Sequence, residues 1–163
     1  MNDLTSRALE LQHAAHELMY LGMDGNPVYS DTFCRLNKGV LVKSDSLFSA
    51  QSSDVEEEAN LCLALLMGYN ATIYDDGDKE QKKQMVLNRI CLVLEQLPAS
   101  LLKVRLLTYT YGEVYEEVLF QEAYAIIEGW NKDNLSSEQT EIIEELKNIE
   151  ENPYPFEVVE CKP

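Results

Sequence analysis

Positive charge is scarce in this chain. Thirteen Lys and Arg residues stand against 29 Asp and Glu over 163 positions, giving a formal charge of −16 and an isoelectric point near 4.4. Such a surface repels the phosphate backbone that supplies most nucleic-acid affinity, so direct binding to DNA or RNA is not expected. It repels an anionic lipid leaflet for the same reason. Histidine is almost missing, with only His13 and His16. Long apolar runs are missing too. The longest, Leu61 to Met67, falls far short of the roughly 20 residues that span a bilayer. The first ten residues have neither a basic nor an apolar stretch, so no secretory leader is expected. The sequons at Asn70 and Asn134 therefore carry little weight.

Other absences exclude chemistry. The four cysteines, Cys34, Cys62, Cys91 and Cys161, form no C-x-x-C pair, which argues against a zinc site or a redox couple. Three lie within apolar helical patterns and are expected to be buried thiols in a reducing, cytoplasmic setting, with the fourth in the tail. A glycine-rich phosphate loop, a G-x-S-x-G elbow and a Cys/His nucleophile pair are all lacking.

What is present is helical periodicity. Hydrophobic residues make up 45% of the chain, enough to fill a core. Leu4, Ala8, Leu11, Ala15 and Leu18 step by three and four along a first helix over 3–21, capped by Asp3, with Gly22 to Pro27 as its stop. Ser30 is placed to cap a second helix reaching Ala50, carried by Phe33, Leu36, Val40, Leu41, Leu47 and Phe48. Gly39 and Ser44 weaken its middle. Ser53 with Glu56 reads as a capping box for a third helix to Tyr74, apolar on nearly every side and so central and buried. A fourth helix runs from Asp78 to Leu97, with Met85, Val86, Ile90, Val93, Leu94 and Leu97 inward and Pro98 as its end.

Residues 100–111 are ambiguous between helix and strand, and the lack of a partner strand favours helix. Gly112 reads as the break before a helix from Glu113 to Trp130 with Tyr115, Val118, Leu119, Ala123, Ile126 and Ile127 inward. Ser136 and Gln139 form a capping box for a last helix carrying Ile142, Leu146 and Ile149. The expected fold is all-α: a single-domain bundle of about six to seven helices over 1–152, with an extended or flexible tail over 153–163.

Three constellations invite a catalytic or metal-binding function. Glu10-x-x-His13 is half of a di-iron signature, but the chain has no histidine left for the other half. Glu113, Glu116 and Glu117 resemble half of the Mg²⁺ site of an all-α nucleotide pyrophosphatase. The matching Glu-x-x-Asp is missing, since Glu128 is followed by Asn131. Asp75-Asp76-Gly77-Asp78 lacks the alternating ligands that a calcium loop needs ahead of its glycine. No metal, cofactor or catalytic residue is assigned. The pyrophosphatase, and a non-catalytic acidic adaptor, stand as alternatives to the function given next.

Seven of the nine tyrosines cluster at turns: Tyr20 and Tyr29 at the first, Tyr69 and Tyr74 at the second, Tyr109, Tyr111 and Tyr115 around Gly112. Tyrosine joins apolar area to a polar tip and is favoured at interfaces. Several of these segments also resemble a known family. GNPVYSD at 25–31, EEANLCLALLMGYNATIY at 57–74, LPASLLK at 97–103, YGEV at 111–114 and ENPYP at 151–155 are similar to the UpxZ family of transcription anti-terminator antagonists from capsular polysaccharide loci of gut commensals. The resemblance spans nearly the whole chain. It implies a trans-acting, non-enzymatic inhibitor that binds a NusG-like antiterminator (UpxY type) encoded by other loci, so that one capsule is expressed at a time. RNA polymerase participation is left open. No catalytic residues carry over. Tyr29, Asp31, Tyr69, Asn70, Tyr74, Asp75, Asp76, Tyr111 and Glu113 are the expected partner-binding residues.

Overall fold

The structure is a computed structural model that describes residues 3–73 and 77–151. Those residues form seven α-helices and no strand. The chain divides into two compact units, Met1–Leu97 and Pro98–Pro163. The first holds α1 (Asp3–Met19), α2 (Ser30–Phe48), α3 (Val55–Ala71) and α4 (Lys79–Leu94). The second holds α5 (Leu101–Val114), α6 (Glu117–Glu128) and α7 (Ser137–Glu151). The 153–163 tail lies outside the described residues.

Helix α3 is the core of the first unit. Every residue from Ala59 to Tyr69 is buried, because α1, α2 and α4 all pack on it. Ala8, Leu11, Ala15 and Leu18 of α1 close one side. Gln12, on the same stripe, is also buried and donates to the Asn60 carbonyl at 3.0 Å, which satisfies an amide that would otherwise be costly in an apolar setting. On α4, Val86, Ile90 and Val93 are buried, but Met85 points to solvent; the helix ends at Leu94, short of Leu97, which is buried just beyond it.

The capping box at α3 sits one residue later than expected. Asp54, not Ser53, is the cap, and its carboxylate accepts from the Glu57 amide at 2.8 Å. Glu57 in turn accepts from the Ser53 amide at 2.6 Å. A carboxylate is the stronger acceptor for the first-turn amides and also complements the helix dipole. The same kind of correction applies at α2. Tyr29 is the cap residue and Ser30 already helical, with no side-chain cap bond. Asp3 likewise lies inside α1. Helix α3 stops at Ala71, short of Tyr74, because Thr72 turns extended while its hydroxyl donates to the Gly68 carbonyl at 2.9 Å.

In the second unit Ser100 caps α5, accepting from the Lys103 amide at 3.1 Å, and residues 101–114 are helical. Gly112 is not the break. It lies inside α5, where a Cβ would stand 3.3 Å from Ile149 of α7, so the glycine serves close packing. The break falls at Tyr115, left-handed at φ 56°. Thus α6 starts at Glu117, and Val118 is exposed. The Ser136–Gln139 box forms at the start of α7, with bonds of 2.8 and 3.0 Å. Cys62 is buried, whereas Cys34 and Cys91 are exposed, on the solvent sides of α2 and α4. Burial was expected of all three. Position within an apolar run does not fix the side of a helix on which a thiol stands.

Candidate partner-binding face

The chain between α1 and α2 reverses at Gly22 and Gly25, both with φ near 86°. A side chain is strained at that angle. At Gly22 a Cβ would also stand 2.7 Å from Val28. Asp24 fixes the loop, accepting from the Asn26 amide at 3.0 Å and from its side chain at 2.8 Å. The loop delivers Met23, Val28 and Tyr29 to the surface, and Tyr29 is 69% exposed at the start of α2. Asp31 follows, exposed in the first turn.

Two turns along α2, Asn37 reaches across to the end of α3. Its side chain accepts from the Ile73 amide at 2.8 Å and donates to the Ile73 carbonyl at 3.0 Å. The clamp replaces the helical bonds lost where α3 ends, and it leaves the Ile73 side chain 70% exposed. Lys79 donates to the Thr72 carbonyl at 2.8 Å from the other side. The loop before α2 and the segment after α3 are distant in sequence, and both present apolar side chains to water, one at the start of α2 and one clamped to it two turns along.

The expected site residues divide between two regions and the core. Tyr29 and Asp31 lie on this face. Asn70 is half-buried. Tyr69 is fully buried; its hydroxyl donates to Asp45 at 2.8 Å, and Lys82 meets the same carboxylate oxygen at 3.0 Å. It therefore ties α3 to α2. Tyr74, Asp75 and Asp76 lie outside the described residues. Tyr111 and Glu113 belong to the second unit, where Tyr111 packs against Tyr115 and Phe120 with ring centroids 5.4 and 5.3 Å apart.

Glu58 and Arg89 went unnoticed in the sequence. Arg89 donates through Nε at 2.8 Å and Nη2 at 2.6 Å to the two Glu58 oxygens. The pair walls a cleft of about 320 Å³ that includes Ser52, Asp54, Leu92 and Gln96. The signal was available, since Arg89 falls between Val86 and Val93 on the inner stripe of α4. Burial pushes the Glu58 carboxyl up, but hydrogen bonds from Arg89 and Ser52 outweigh it and hold the group below its ordinary value. Cys62 donates to Glu58 at 3.5 Å. Burial, with the neighbouring carboxylate, raises that thiol to about 12, so it stays protonated and is no nucleophile.

Among the described residues no group of three or more His, Cys, Asp or Glu side chains is placed to hold a metal ion. Glu10 and His13 both face solvent from α1. No helix among these residues is long and apolar enough to cross a membrane. What stands out on the surface is apolar side chains among many carboxylates. The fold and composition define an acidic, all-α protein.

Comparison with known proteins gives the particular kind. The family model of the UpxZ transcription anti-terminator antagonists matches residues 8–112, which takes in most of α1, all of α2 to α4 and most of α5. The crystal structure of a transcription anti-terminator antagonist UpxZ from Bacteroides uniformis is 67% identical, covers 96% of this chain and 97% of its own, and superposes with a TM-score of 0.86. No curated protein matches the chain. The chain belongs to the UpxZ family of transcription anti-terminator antagonists, which are non-catalytic regulators.

Proposed function

We propose that this protein acts in the cytoplasm by binding directly to NusG-like antiterminators (UpxY type) of other capsular polysaccharide loci, so that one locus is transcribed at a time. The observation that carries this is the family match over residues 8–112, which contains the whole Tyr29–Ile73 face. Family membership supplies the antagonism, and the face supplies a means. Met23, Val28, Tyr29 and Ile73 offer exposed apolar area, and the −16 charge of the chain steers it towards a basic partner surface. Such a surface is expected on an antiterminator that must sit near nucleic acid and polymerase. Occupying it would prevent recruitment.

The test is transcription through a capsule-locus leader with purified polymerase and antiterminator. Adding this protein is expected to restore termination when the antiterminator comes from another locus. Unchanged read-through at saturating protein would sink the proposal. A pulldown with and without polymerase shows whether the polymerase takes part.

A further inference from the structure

The corner between α5 and α6 joins aromatic rings to acidic side chains. Four rings run through it in contact: Tyr115 to Tyr111 at 5.4 Å, Tyr111 to Phe120 at 5.3 Å, and Phe120 to Tyr124 at 4.6 Å. None is fully buried; each keeps part of its surface in water. Val114 and Val118, which flank Tyr115 in the chain, are exposed, Val118 to 62%. The stretch from 111 to 124 also carries Glu113, Glu116, Glu117 and Glu122, and it has no Lys or Arg. Lys103 reaches in to meet Glu122 at 2.7 Å.

The negative field continues onto α7. Burial raises the Tyr124 phenol, and the nearby Glu150 and Glu151 raise it further. Tyr115 holds a left-handed backbone at φ 56°, a conformation disfavoured for a residue with a side chain. That turn lets Tyr115 stack back on Tyr111 while α6 brings in Phe120.

Half-exposed rings in a stretch that carries four carboxylates and no positive charge suit one chemistry in particular. A guanidinium stacks on an aromatic face while donating to carboxylates, and its stem lies along aliphatic side chains. A lysine ammonium is more strongly hydrated and gains less from the rings. We infer that the α5–α6 corner, Tyr111 to Tyr124, is a docking face for an arginine-bearing basic segment of a partner protein. This deepens the antagonist function proposed above and rests on it for the partner's identity.

The experiment uses the full chain labelled with ¹⁵N. It is titrated at physiological salt with a peptide of alternating Arg and Gly, and with its Lys counterpart. Saturable amide shifts are expected to centre on residues 111–124, with the Arg peptide about threefold tighter or more. Reversing the charge of two exposed residues, E116K with E117K, is expected to weaken the peptide by about tenfold. If that variant does not fold, E116Q with E117Q runs the same test at smaller amplitude. Shifts spread over all acidic faces, or equal affinity for the two peptides, would overturn the inference. Wild-type inhibition of an antiterminator by the E116K/E117K chain would overturn the partner assignment. Loss of peptide binding while inhibition persists in the native chain separates failure here from failure of the antagonist function.

Discussion

Gly68 of α3 and Ser44 of α2 approach so closely that a Cβ on Gly68 would stand 2.2 Å from the Ser44 hydroxyl oxygen. The hydroxyl cannot simply swing away, because it is buried and donates to the Val40 carbonyl at 2.9 Å. Gly68→Ala is therefore expected to destabilise the chain by about 1–3 kcal/mol, the usual cost of overpacking a core. Ser44→Ala in the same chain should restore most of the loss, because the nearest remaining Ser44 atom would be its Cβ, at 3.4 Å. Urea denaturation of the two single variants and the double variant measures the coupling. Strict additivity would contradict this account of the contact.

The Glu58–Arg89 pair should show itself in acid. The folded-state value of Glu58 lies below the ordinary 4.5. Its contribution to stability is then fully present above about that value and is lost as pH falls through the lower folded value. Glu58→Gln should flatten the stability curve over this window. Arg89→Ala should cost about 1.5–3 kcal/mol at neutral pH by removing two charge-assisted bonds. Melting temperature against pH from 6 to 3 for the native chain and E58Q checks the sign.

The three thiols among the described residues should react in two classes. Cys34 and Cys91 are exposed and should be alkylated readily at pH 8 in the folded protein. Cys62 is buried and its thiol is raised to about 12, so it should stay unmodified until the chain unfolds. Peptide mapping after brief alkylation, with and without urea, distinguishes them.

The Tyr29–Ile73 face makes its own claim on inhibition. Tyr29→Ala and Ile73→Asp change side chains that are mostly in water, so stability should shift by about 0.5 kcal/mol or less. Each should nevertheless raise the concentration needed to restore termination, by about tenfold or more if these residues anchor the partner. Tyr69→Phe is the contrasting variant. It removes the bond to Asp45 and should cost about 1 kcal/mol of stability while leaving inhibition by the folded chain unchanged.

Much of the fold was legible in the sequence, and the reasons are local. A stripe such as Ala8, Leu11, Ala15, Leu18 can only be one face of a helix, and the unbroken apolar run of α3 can only be central. The Ser136–Gln139 box is a two-residue signature. What was not legible depends on partners far along the chain. Ser44 looked like a defect in α2 and is instead the residue that fits against Gly68. Gly112 looked like a stop and instead admits Ile149. Tyr115, the real stop, carries no backbone signal in its type. Of the residues expected to bind a partner, Tyr29 and Asp31 are on the surface, whereas Tyr69 is interior. Tyrosine suits an interface and a half-polar core equally well, and only the Asp45 hydrogen bond tells them apart. Asn37, which holds Ile73 against α2, makes contacts 36 residues away that no local pattern announces.

The central claim is direct binding to an antiterminator. Calorimetry with this protein and a purified NusG-like antiterminator from another capsule locus, without polymerase or nucleic acid, tests it most directly. The expected result is a saturable complex that weakens steadily as salt rises from 50 to 500 mM, because an acidic protein meets a basic surface. A complete lack of heat and of complex at low salt, with both proteins folded and active, would contradict it.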